Sequence, residues 1–297
     1  METTSTTLLT EEPKGMGRRA AMFLGGAALA GMALSRTSEA QAAAVTDTDI
    51  LNFALNLEFL EAQFYTLATT GQTIDKIGLS TASGAGTAGG AVTVKANPIV
   101  TFTTPLLQQF AMETAQEEQN HVAFLQKALG ASAVGMPNID LMNSFNALAA
   151  AAGLGSTFDP FADETSFLLG SFIFEDVGVT AYLGAAGLIS NATYLDKAAG
   201  ILAVEAYHAG SIRLRIFQAG ATAASAATSI ATARASLDGT GNDDIGVGVS
   251  NGAATIVDAD SNAIAFSRTT AQVLKIVYGG GSTSGAFFPN GLNGTIK

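Results

Sequence analysis

EQNHVAFL (residues 118–125) and EAYHAGSI (residues 205–212) contain both histidines of a 297-residue chain, and in each the imidazole follows a glutamate by three residues. That spacing is close to one helical turn, so Glu118 with His121, and Glu205 with His208, would share a helix face. Steps of three and four residues outward from the first pair give Leu107, Ala111, Thr114, Glu118, His121, Leu125. From the second pair they give Ala198, Leu202, Glu205, His208, Ile212. Apolar residues at this period mark the stripe that a helix turns toward a core. Glutamate and histidine interrupt that stripe. A carboxylate buried without a partner is very costly, so a positive group must meet it.

Around these stretches the chain reads as a bundle of four long helices. The first runs from about Thr46 to Thr70, with Asp47 or Thr48 as its cap and Gly71 as its stop. The second has Thr104 at its cap, Pro105 in its first turn and Gly130 at its end. The third opens at Asp159-Pro160 and extends to about Ile189; the fourth starts near Asn191 and ends before Gly220. Almost nothing separates the last two, which makes them antiparallel neighbours. A Gly/Ala/Thr-rich insert joins the first two helices, with alternating β-branched residues but no helical period. A shorter helix is expected near residues 139–152. Beyond Gly220 the pattern gives an Ala/Ser segment with helical character, the Gly/Asp/Asn-rich loop DGTGNDDIGVGVSNG and a short amphipathic helix in RTTAQVLKIVYGG.

The first and third helices carry a matching feature. Alignment of LEFLEAQFY with FEDVGVTAY puts Glu58 on Glu175 and Tyr65 on Tyr182. Leu51, Leu55, Glu58, Ala62 and Tyr65 again place the carboxylate on the inward face. The chain thus contains two copies of one unit, a glutamate followed by Glu-x-x-His. Four carboxylates and two imidazoles between four helices suit a pair of divalent cations, the arrangement of di-iron and di-manganese bundles. Cysteine is absent, and a sulfur-free set favours Fe or Mn, with Zn as competitor. Glu61, one turn from Glu58, is the rival ligand on the first helix, but its counterpart is Gly178 and the internal symmetry favours Glu58. Glu113 and Glu117 fall off the inward stripe and read as solvated or as neighbours of the ligands. Tyr65 and Tyr182 read either as partners of the ligand carboxylates, open to oxidation, or as plain core aromatics. Arg213 and Arg215 sit near a helix C-terminus, where cations are favoured anyway.

The stretches LNFALNLEFLEAQFY, EEQNHVAFL, FEDVGVTAY and ILAVEAYHAGSIR resemble the ferritin-like superfamily, in particular its secreted, desiccation-related branch. The likeness covers about residues 46–219, and AFSRTTAQVLKIVYGG with GAFFPNGLNG resembles endings in that branch. The resemblance implies an all-α, antiparallel four-helix bundle. It implies Glu58, Glu118, His121, Glu175, Glu205 and His208 as ligands of two Fe or Mn ions, with Glu118 and Glu175 or their equivalents as the usual bridges.

Lys14, Arg18 and Arg19 precede an apolar run, and Ala40-Gln41-Ala42 fits a small-x-small cleavage site. Residues 1–42 therefore read as an export signal of twin-arginine type, although Ala20 and Ala21 stand where a bulkier apolar residue is expected. A periplasmic or secreted protein starting near Ala43 follows, with no stable membrane insertion after cleavage. The organisation expected is signal 1–42, bundle 43–220 and an extension 221–297 packed on the bundle. The net charge of −11 argues against nucleic acid. The leading expectation is a di-metal protein that consumes peroxide or oxidises ferrous iron with dioxygen, a manganese catalase being one variant. The rival is a desiccation or stress protein whose metals only hold the helices together. A storage cage ranks third, because the insert and the tail are awkward for a tiled shell. A homo-oligomer fits any of these.

Overall fold

Thr46 opens the first helix with a capping box: its hydroxyl accepts the Asp49 N–H, and the Asp49 carboxylate accepts from the Thr46 backbone. This helix, α1 (Asp47–Thr70), closes on Gly71 at φ 73°, a left-handed conformation that favours glycine. The cap is thus Thr46 rather than Asp47 or Thr48. Asp47 instead accepts the N–H groups of Ser190 and Asn191, joining the start of α1 to the approach of a later helix. The computed structural model describes residues 45–241 and 243–297, and residues 44–297 make one compact unit. The expected export signal lies outside the described residues.

Elements follow in the order β1 (Val92–Thr93), α2 (Pro105–Leu129), β2 (Ile139–Asp140), α3 (Asn143–Ala151), α4 (Glu164–Ala186), α5 (Ala192–Ala219), α6 (Ala221–Asp238), β3 (Val249–Ser250), β4 (Ala253–Ala254) and α7 (Thr270–Val277). Helix α1 packs on α2, and α4 on α5. The two pairs make the expected four-helix core. Every residue of α1 from Ile50 to Ala68 is buried, as is every residue of α4 from Phe167 to Gly178. These helices are covered on all sides. Helix α4 is long and apolar enough to cross a membrane, but 83% of its most apolar window is buried inside the fold. By contrast, α2 buries one stripe: Leu107, Ala111, Thr114, Ala115, Glu118, His121, Val122 and Leu125. This contains every residue of the stripe read from the sequence. In α5 the stripe holds at Ala198, Glu205, His208 and Ile212, but Ile201 is buried where Leu202 is expected.

Several boundaries move. The third long helix starts at Glu164, with the Asp163 carboxylate accepting the Ser166 N–H. Asp159 is occupied elsewhere, paired with Lys95 at 2.6 Å and accepting from Phe161 N. Helix α4 also ends earlier, at Ala186. The short helix loses residues 139–142, because Ile139–Asp140 pairs in parallel with Val92–Thr93 of the insert. Thr104 occupies the α2 cap position without a side-chain cap bond; its hydroxyl donates to Glu164 Oε2 instead. Asn191 caps α5, which starts where the sequence placed it, accepting from Thr193 and Tyr194.

Elements outside the four helices cover α1 and α4. Helices α6 and α7 both rest on α4, and α3 rests on α6. Phe287, beyond α7, packs edge-on against Phe174 of α4, with ring centroids 4.9 Å apart, and against Phe145 of α3. Asn293 N donates to Asn56 Oδ1, and Asn56 Nδ2 donates to Asn293 O at 2.8 Å, which completes the polar needs of an amide buried in α1.

Arg213 is not a surface cation at a helix end. It is buried, donates to Asp176 Oδ2 at 2.8 Å and reaches the backbone carbonyls of Ile245 and Ile256. Arg234 of α6 meets the same Asp176 oxygen and also Asp244, and Arg268 meets Asp244 and Asp238. These charge pairs tie the loop after α6 to the bundle. Arg215, in contrast, is half-buried and bonds Gln218.

Candidate metal centre

The six side chains singled out by sequence meet at the middle of the bundle. Glu58, Glu118, Glu175 and Glu205 are fully buried, and His121 and His208 nearly so. They fall into two overlapping groups, Glu58–Glu118–His121–Glu205 and Glu118–Glu175–Glu205–His208, each with one donor atom per residue within 4.8 Å of the others. The internal symmetry explains the overlap. Glu118 and Glu205 are equivalent residues, each one turn before its histidine, and both belong to both groups. Glu58 and Glu175 are the other equivalent pair, and each belongs to one group. Which carboxylates are shared was open in the sequence; Glu118 and Glu205 belong to both groups, and Glu175 only to the group of His208.

The spacing within the groups is that of neighbouring ligands. His121 Nδ1 lies 3.2 Å from Glu58 Oε2, 3.4 Å from Glu118 Oε2 and 3.5 Å from Glu205 Oε1. His208 Nδ1 lies 3.2 Å from Glu118 Oε1 and 3.4 Å from Glu175 Oε2. Donors about 2.1 Å from one ion are separated from each other by about 3.0–3.4 Å. Both oxygens of Glu118 and of Glu205, Glu175 Oε2 and His208 Nδ1 are buried without a hydrogen-bond partner. Buried polar atoms are almost always paired. The only such concentration among the described residues is here, with donors suited to a hard or borderline cation.

The tyrosines of the repeated unit cross between its copies. Tyr65 of α1 donates to Glu175 Oε1 of α4, and Tyr182 of α4 donates to Glu58 Oε1 of α1. Each leaves the second oxygen of its carboxylate turned toward a histidine. They are carboxylate partners, not plain core aromatics. Gly178 gives Glu205 its room: a Cβ at that position would stand 2.4 Å from Glu205 Oε2.

Without a cation the cluster redistributes protons. Burial disfavours charge on the imidazoles, yet the negative field of Glu58 raises His121 to about 11, and that of Glu175 raises His208 to about 12. Burial and the Glu58 charge raise Glu118 to about 7. Burial, with the charge of Glu118, also pushes Glu205 and Glu61 well above the carboxylate range. For Glu58 the burial effect is outweighed by His121, and its carboxyl is held low. Glu61 is buried beside the cluster but belongs to neither group, so Glu58 is the α1 residue that joins one of them.

Glu117 is the residue whose contact the sequence left open. Its Oε2 accepts from His208 Nε2 at 2.6 Å while its side chain remains 38% exposed. The signal was the tandem Glu117-Glu118, which puts one carboxylate inside the stripe and one at its edge. A further set of carboxylates, Asp176, Asp244 and Asp258, also lies close together, but arginine guanidinium groups already meet the first two.

Residues 46–218 match the family described as Ferritin-like domain. The chain belongs to this family. It is 30% identical over 269 residues to the ferritin-like catalase Nec2 of Nesocodon mauritianus, with 84% of each chain covered. It is 30% identical over 266 residues to the desiccation-related protein PCC13-62 of Craterostigma plantagineum, covering 82% of this chain and 80% of that one. No solved structure gives a significant match.

Proposed function

We propose that this ferritin-like chain is an exported di-metal protein that consumes peroxide, with two Fe or Mn ions held by Glu58, Glu118, His121, Glu175, Glu205 and His208. The observation that carries the reading is the set of buried, unpaired donor atoms at ligand spacing in the two overlapping groups. Four carboxylates balance two divalent cations, which would relieve the burial cost of the cluster. Such a pair supplies the two-electron exchange that peroxide, or dioxygen with ferrous iron, requires. The chain's own contributions are specific. Glu118 and Glu205, which belong to both groups, would be shared between the two ions, Tyr65 and Tyr182 hold the outer carboxylates, and the covering helices keep bulk water from the centre. The name of the catalase relative favours peroxide over ferrous iron as substrate. Lys14, Arg18, Arg19 and the Ala40-Gln41-Ala42 site support export to the periplasm or beyond.

The test is metal analysis of the purified protein followed by oxygen release from hydrogen peroxide. About two Fe or Mn per chain are expected, with turnover lost when His121 and His208 are both changed to Ala in a protein that stays folded. A metal-loaded protein no faster than the free ion would refute the activity. The desiccation-related relative favours a second reading, in which the ions only tie the helices together. In that case the same double variant would lose its fold, and no turnover would be detectable in the parent.

A further inference from the structure

The repeated unit makes the two halves of the centre equivalent in their ligands, but not in what stands behind them. Helices α2 and α5 run antiparallel past each other, His121 facing Glu205 and His208 facing Glu118. The symmetry that carries Glu118-Gln119-Asn120-His121 onto Glu205-Ala206-Tyr207-His208 also carries Glu117 onto Val204. On one side, Glu117 accepts from His208 Nε2 at 2.6 Å. On the other, the equivalent position holds a half-buried valine that can accept nothing, and no described residue bonds Nε2 of His121. In both rings Nδ1 is the nitrogen turned toward the carboxylate oxygens.

We infer that the two cation positions are inequivalent, and that Glu117 makes the position beside His208 the tighter, first-filled one. This rests on the di-metal reading above. The hydrogen bond fixes one hydrogen on Nε2 and turns Nδ1 toward the carboxylates, so the proton that an entering ion displaces is the one on Nδ1. The carboxylate also makes the imidazole a stronger donor. Partners of this kind behind a ligating histidine are worth about 10–100-fold in metal affinity. His121 must select its tautomer and orientation unaided, so its ion binds second. Glu117 acts through His208 and is a positioning residue.

Calorimetric titration of the metal-free full-length protein with Mn²⁺ tests this, with electron paramagnetic resonance at one equivalent as a second readout. The unaltered protein should bind in two steps, and at one equivalent it should show chiefly the signal of isolated Mn²⁺. Glu117→Ala should weaken the tighter step about 10–100-fold and leave the weaker step in place. Glu117→Gln, which keeps an acceptor for Nε2–H without the charge, should recover part of the loss. Val204→Glu should strengthen the weaker step and bring the two together. Glu117 is partly exposed, so these variants leave the core intact. Two ions bound as one class, or Glu117→Ala weakening both steps equally or neither, would overturn the inference while leaving the di-metal reading standing. An unaltered protein that binds no Mn²⁺ would overturn both.

Discussion

At the scale of single residues, the centre shows how much a helix gives up to place a donor. Glycine inside a helix costs about 1 kcal/mol relative to alanine, yet Gly178 occupies the fully buried stretch of α4 because Glu205 needs the space. Gly178→Ala should therefore raise helix propensity and still weaken metal binding. A stoichiometry near two with unchanged affinity would contradict that. The crossed tyrosines make a matching case. Tyr65→Phe and Tyr182→Phe each free one outer carboxylate to rotate, and each should weaken metal binding about 10–100-fold, measurable by competition with a chelator of known affinity. Protons compete for the same atoms. In the metal-free protein at neutral pH both imidazoles are charged, since their values lie at about 11 and about 12, and Glu118, at about 7, is partly protonated. Entry of a cation must expel these protons. Affinity should thus rise with pH through neutrality, and calorimetry in buffers of different ionisation enthalpy should show proton release; proton uptake would reverse the sign.

At the scale of elements, the legible and the illegible parts of the sequence divide along a physical line. The inward stripes of α2 and α5 were readable because a regular period exposes any residue that breaks it. Glu118, His121, Glu205 and His208 followed from that, while Glu58 and Glu175 followed from the repeat that aligns α1 with α4. The arginine network was unreadable. Asp176 on α4 meets Arg213 on α5 and Arg234 on α6, and each partner is fixed by the path of a Gly/Asp-rich loop that has no period of its own. Helix starts failed for a similar reason: Asp159 could cap a helix by chemistry, but Lys95 from the distant insert claims it. The network also lies next to the site, since Asp176 follows Glu175 directly. Arg234→Met should leave Asp176 short of one partner and Asp244 short of another, and a broken buried pair costs about 3–5 kcal/mol. Chemical denaturation should show that loss at constant metal content; a loss under about 1 kcal/mol would place the pairs among the weak ones.

At the scale of the whole molecule, the carboxylate–histidine cluster and the covering elements belong to one compact unit. Burying four carboxylates against two imidazoles leaves the metal-free core short of positive charge, so metal removal should lower the melting temperature. Binding at a hundredfold excess over Kd contributes about 2.7 kcal/mol per site, and for a domain of this size each kcal/mol corresponds to about 2–4 °C. Chelation should therefore shift the transition down by roughly 5–10 °C per site, and an unchanged transition would show that the cluster is content with protons alone. The bond between Asn56 and Asn293 adds a constraint in time. Two amides 237 residues apart must meet before α1 has its last buried polar group answered. Translation adds about 5–20 residues per second, so a nascent chain carries that unanswered amide for roughly 10–50 s. During this interval a chaperone finds α1 still unsealed. Pulse-labelled chains probed with protease should become resistant only after Asn293 has been made.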